Sequence, residues 1–332
     1  MSTAAAVILW TGASFYAIFG GADFGGGFWD LIAGNAEKGE RPRATIQRSL
    51  TPVWEANHVW LIFILVVLWT AFPTAFSAIF TTLYVPLLLA VLGIVLRGSG
   101  FAFRASVEGL QERRAAGATF ALSSIVTPFF MGCVVGAIAA GKVPAAGEGP
   151  AFSSWIQPLP LFIGAMFVAT SAYMAAVFLV GDTRRAEDHE MELYFEKRAL
   201  AAGAVAGIFA AVGLVAMHSE AHYVYARLVH QGLPMIIVSA VCGIGMLIVL
   251  VSGGRLLLRP LAALAVIAVI WGWFTAQFPY LLPTVLKFSD GAAPHATLSA
   301  IFVVFGLAIV LVLPALFLLY FLAQTDMLEH DH

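Results

Sequence analysis

TPVWEANHVWLIFILVVLWTAF, Thr51–Phe72, places Glu55, Asn57 and His58 at the front of an apolar run that carries no charge from Val59 onward. About 20 such residues, rising 1.5 Å each, cross a bilayer as a helix. Ionisable side chains at that depth are costly, and they typically serve proton or ion movement, ligand binding or a buried polar contact. Thr51-Pro52 suits an N-cap followed by proline in the first helical turn. Glu55 then sits about one turn inside, and His58, three residues on, shares its helix face. Two readings of Glu55 are open. A helix N-terminus favours an anion, so it can be a dipole-stabilised carboxylate paired with a nearby Arg. Alternatively it is a proton acceptor, with Asn57 and His58 polarising the route inward. Trp54 and Trp60 suit membrane-interface anchors, and Trp60 is deep enough to pack against a neighbouring helix.

The rest of the chain repeats this pattern. Of 332 residues, 61% are hydrophobic and 11% charged, with a mean hydropathy of +0.92. Soluble domains carry about 25% charged residues, so the composition indicates an all-α integral membrane protein. A net charge of −2 is too small to imply a strongly acidic or basic partner, and nothing suggests nucleic acid. Cys133 and Cys242 both lie in apolar runs and read as small core residues. The first basic residue is Lys38, which argues against a cleaved leader.

Nine apolar segments are long enough to span, near 4–30, 52–72, 76–96, 117–140, 158–180, 199–217, 233–252, 257–278 and 297–323. They are expected to pack as helix bundles in a single domain, 1–332. GDTRRAEDHEMELYFEKR, Gly181–Arg198, reads as a short surface helix running into the sixth span. Of the 17 Lys and Arg residues, all but Lys142, Arg227 and Lys287 lie in the loops after spans one, three, five and seven. The positive-inside rule makes those loops cytoplasmic. The N-terminus is then expected outside and the C-terminus in the cytoplasm.

Span one ends in FGGADFGGGFWDLIAG, Phe19–Gly34. Gly21 and Gly25 form a GxxxG pair, which permits close helix approach. No strand precedes this cluster and no Gly-Lys-Ser/Thr follows it, so it is not a phosphate loop. Asp23 either caps a backbone break or joins an interhelical contact or polar path; Asp30 reads as interfacial. Arg97 is expected to snorkel to the cytoplasmic surface, and Arg104 to pair with a carboxylate there. His218 and His222 have metal-pair spacing without HExxH, and a solvated loop is the simpler reading. QFPYLLPTV, Gln277–Val285, reads as an interfacial turn. No metal site, set of haem ligands or iron–sulfur cysteine pattern is evident.

Taken together, GADFGGGFWDL and SLTPVWEANHVWLI resemble subunit II of the cytochrome bd quinol oxidases. Support comes from FPTAFSAIF, GFAFR, TPFFMGCVVG, FPYLLP and VLPALFLLY, in the family's order across nearly the full chain. The resemblance implies a heterodimer with a haem-bearing subunit I that holds haem b and haem d. That subunit oxidises quinol at the outer face and reduces dioxygen to water. A bound quinone and a small accessory subunit are compatible with it, as is the plasma membrane of a bacterial or archaeal-type cell. The motif carboxylate, associated with a cytoplasmic proton path, maps onto Glu55, with Asn57 beside it. Asp23 and His58 complete the expected path, whose role is proton transfer and not redox. Relatives often have Asp at position 55, a further acid at Gly20 and another at Ala102. The path is therefore expected to be sparser or differently routed here, with His58 able to compensate. A stand-alone proton-coupled transporter using Glu55 and Asp23, or a scaffold whose polar residues only fix packing, are the competing readings. A transporter would be expected to show paired broken helices in two matching halves, and no second half matches the first.

Overall fold

The structure, a computed structural model, describes residues 1–35, 37–50, 54–106, 110–254 and 256–324. At 54–57, 101–102, 104–106 and 110–114, among others, it describes the backbone only. The chain is almost wholly helical: α1 (Ser2–Leu31), α2 (Glu40–Leu50), α3 (Trp54–Ala71), α4 (Pro73–Thr82), α5 (Tyr84–Ser106) and α6 (Leu110–Ala139). After them come α7 (Pro158–Arg185), α8 (His189–Glu220), α9 (His222–Leu228), α10 (Leu233–Val251), α11 (Leu258–Gln277) and α12 (His295–Gln324). Among the described residues, seven helices are long and apolar enough to cross a membrane, or eight if a bent pair counts as one.

That bent pair is α3 and α4, which meet at 116°. Its cause is Pro73, which has no N–H and disfavours helix in the residue before it. Phe72 accordingly takes φ −136° and ψ 60°, and Pro73 restarts the chain as the first residue of α4. The segment expected near 76–96 is thus divided at Leu83 between a ten-residue α4 and α5. The N–H of Ala293 donates to the carbonyl of Ala71 at 2.8 Å, satisfying one acceptor left at the end of α3. Gly181–Arg198 is as expected in part: α8 begins at His189 with an Asp188 cap that accepts from the Met191 N–H, and runs unbroken to Glu220.

α1 is the hub, packed against α3, α6, α7 and α11. The most apolar 18-residue windows of α1, α6 and α7 are each 61% buried, against 11% for α8 and α10 and 6% for α12. The last three are therefore the rim, and Val215, Val251, Val310 and Phe317 project outward from it. Such faces carry no penalty in hydrocarbon, where helix association rests on close packing and not on hiding apolar area. At the C-terminal end of α11, 277–285 forms more than a turn. A cis Phe278–Pro279 bond leads into a two-stranded antiparallel hairpin, β1 (Tyr280–Leu282) and β2 (Leu286–Lys287). Leu281, Leu282 and Phe288 from this hairpin join Trp10 and Phe72 in one apolar core.

Candidate functional site

Where α1 meets α5 and α6, two charged side chains are sealed inside the protein. Asp23 is fully buried and Arg97 is 2% exposed. Arg97 Nη2 donates to Asp23 Oδ1 at 2.7 Å and to the Asp23 carbonyl at 2.9 Å. Its Nη1 donates to Ser124 Oγ, and that hydroxyl donates to the Phe120 carbonyl at 2.6 Å. The guanidinium lies over the Phe120 ring, 4.4 Å from its centroid, and 5.2 Å from that of Phe24. Hydrogen bonds and aromatic faces together offset the cost of taking this cation from water.

Small residues make the arrangement possible. A Cβ at Gly27 would overlap Ser124 Oγ, and one at Gly25 would overlap the Ser171 carbonyl. α1 can therefore lie directly on α6 at one position and on α7 at the other. Arg97 does not snorkel to a surface as expected. The Asp23 carboxylate on α1 offers a better partner than the interface, because the pair needs no water. Asp23 caps no break either, since α1 is continuous through it; it is an interhelical contact. Asp30 is 5% exposed and forms an ion pair with Arg43 of α2 at 3.3 Å.

His58 joins the same region. Its ring is 6.2 Å from that of Phe24, and it lies within electrostatic reach of Asp23 and Arg97. Two of the four expected path residues, Asp23 and His58, are thus brought together. Glu55 and Asn57 lie on the α3 backbone, but their side chains fall outside the described residues, as does that of Arg104. Trp60 packs inward, stacked on Phe15 at 4.4 Å. Arg97, Ser124 and Tyr16 were not singled out as members of the site from sequence. A lone arginine in the apolar run of α5 was the available signal for the first.

Among the described residues, no group of three or more His, Cys, Asp or Glu could hold a metal ion. His218 and His222 have ring centroids 5.9 Å apart at the exposed joint between α8 and α9. Apart from His58, every described histidine is exposed, and His58 packs against Phe24 beside an ion pair. That donor set does not fit a haem ligated by this chain's own described histidines. What the interior does provide is a fixed cation holding one oxygen of a carboxylate, with an imidazole nearby. A carboxylate and an imidazole are both groups that can take up and release a proton.

The family model for cytochrome bd terminal oxidase subunit II matches residues 1–323. A putative cytochrome bd menaquinol oxidase subunit II of Bacillus subtilis is 25% identical over 96% of this chain and 94% of its own length. Subunit 2 of the cytochrome bd-I ubiquinol oxidase of Escherichia coli is 27% identical over a shorter region, 38% of this chain and 32% of that one. A chain in the structure of bd oxidase from Geobacillus thermodenitrificans superposes with a TM-score of 0.78 at 22% identity. The superposition covers 96% of this chain and 97% of that one, and the likeness concerns the fold. With its family model matched almost end to end, the chain belongs to the cytochrome bd terminal oxidase subunit II family.

Proposed function

We propose that the chain is the non-haem subunit of a quinol:oxygen oxidoreductase in a bacterial plasma membrane. It pairs with a haem-bearing subunit I that carries haem b and haem d, where quinol is oxidised and dioxygen reduced to water. A bound quinone and a small accessory subunit remain compatible with the assembly. The chain crosses the membrane nine times, with its N-terminus outside and its C-terminus in the cytoplasm. The family match over residues 1–323 carries this reading. A stand-alone transporter has no comparable support.

Within that complex the chain's own task is proton supply. Oxygen reduction consumes protons at a site shielded from water, so titratable groups must bridge the distance from the cytoplasm. Glu55 stands at the entrance, with Asn57 beside it, and Asp23 and His58 lie deeper. Arg97 cannot lose its proton in a protein; it fixes Asp23 and keeps a charge there tolerable. The Asp23–Arg97–His58 cluster supports this reading, because a buried carboxylate and an imidazole share one region of the bundle.

The complex purified with its native partners should show haem b and haem d bands and a second membrane subunit. A haem-free, partnerless protein would sink the assignment. Glu55→Gln should lower quinol-driven oxygen consumption by roughly a hundredfold, the low end for a positioned proton-transfer group, with haem content unchanged. Normal turnover in that variant would remove the proton path.

A further inference from the structure

Tyr16 occupies α1 seven residues before Asp23, about 10 Å along the axis at 1.5 Å per residue. Its ring does not point away. A Cβ at Gly20 would stand 2.8 Å from the ring, so the side chain lies along α1 towards Asp23, in the space Gly20 leaves open. Phe24 closes over it edge to face, with centroids 6.4 Å apart. Both Asp23 and Arg97 are near enough to act on the phenol electrostatically.

Among the described residues, Tyr16 Oη, Asp23 Oδ2 and Arg97 Nε are buried in this neighbourhood without a hydrogen-bond partner. A buried donor or acceptor left unmade costs about 1–3 kcal/mol, and phenylalanine would fill the same space without that cost. Arg97 uses Asp23 Oδ1 and leaves Oδ2 open, so a carboxylate oxygen and a phenol, both able to handle a proton, stand uncommitted among the described residues.

We propose that the Tyr16 hydroxyl is a proton-carrying residue, the next group after Asp23 on the way towards the membrane centre. This rests on the proton-path reading above. Protonated Asp23 gives its proton to a lone pair of the phenol oxygen as the phenol gives its own proton to a water molecule on the far side, which carries it on. At the phenol one O–H bond forms and one breaks, no electron moves, and that side chain is neutral before and after. A neutral relay suits this depth, where a second charge would be costly. Gly20 is the companion of this device, because any side chain there would push the ring out of the space it occupies.

The test uses the whole oxidase complex. Tyr16→Phe keeps the ring and removes the hydroxyl. Quinol-driven oxygen consumption should fall about tenfold or more, and the ratio of rates in H2O and D2O should rise, with haem content and thermal midpoint unchanged. Gly20→Ala, which keeps the hydroxyl but displaces the ring, should slow turnover in the same direction. Normal turnover in Tyr16→Phe, or slower turnover with an unchanged isotope ratio, overturns the proposal; if Tyr16→Phe does not assemble, normal turnover in Gly20→Ala overturns it. Glu55→Gln run in parallel separates the two ideas. If it is slow while Tyr16→Phe is normal, only Tyr16 is excluded. If both are normal, the path itself falls.

Discussion

Asp23 and Arg97, 74 residues apart in the chain, form a 2.7 Å ion pair in which neither side chain meets solvent. Removing one member of such a pair costs about 3–5 kcal/mol, because the other is left buried and uncompensated. The two losses are not equivalent. A carboxylate can take up a proton and become neutral, whereas a guanidinium cannot shed one. Asp23→Asn should therefore lower the thermal midpoint of the purified complex more than Arg97→Met. The double variant should recover part of the loss while turnover stays low. Equal midpoints for the two single variants would mean that the charge of Arg97 finds another partner.

The GxxxG pair of α1 divides into one essential and one idle glycine. A Cβ at Gly25 would overlap the Ser171 carbonyl and come within 2.7 Å of the Ala175 Cβ, whereas at Gly21 the nearest atom is Ser171 Oγ at 3.9 Å. Backbone cannot move aside as a side chain can, so Gly25→Ala forces α1 off α7. Overpacking of this kind costs about 1–3 kcal/mol or more. Gly25→Ala should reduce the amount of folded subunit in membranes, and Gly21→Ala should match the parent. A stable Gly25→Ala subunit would show that α1 and α7 can separate without consequence.

Much of this was legible in the sequence. The apolar segments fall on helices, Asp23 and His58 lie in one region of the interior, and Trp60 packs inward. Partners were harder to read. α1 and α6 are apolar on nearly every face, so no stripe marks which side looks inward, and Arg97 could not be matched with Asp23 from spacing alone. The partner of Asp30 was hidden for the same reason, since only the fold of α2 brings Arg43 to it. The turn at Pro73 was visible as a residue but not as a 116° bend, because the same proline is tolerated as a mild kink wherever neighbours satisfy the freed carbonyls. Tyr16 gave no signal, as its meaning depends on the emptiness of Gly20.

A second buried arginine ties three helices at the end of the bundle that carries α2. Arg184, 2% exposed at the end of α7, donates from Nε to Glu192 Oε1 at 2.7 Å and from Nη2 to Glu196, both on α8. Nη2 also reaches the Leu250 carbonyl at 3.3 Å, and Nη1 the Gly254 carbonyl, so the same fork closes the end of α10. Lysine has the charge but a single ammonium on a flexible stem, and it cannot serve carboxylates and carbonyls in four directions. Arg184→Lys should therefore destabilise nearly as much as Arg184→Met, by about 3–5 kcal/mol as for a broken buried pair. Because the cation is shielded from water, 1 M salt should leave the parent's midpoint almost unchanged. Glu192→Gln with Glu196→Gln added to Arg184→Met should restore part of the loss. Lysine supporting a parent-like midpoint would show that charge alone, and not the fork, holds α7, α8 and α10 together.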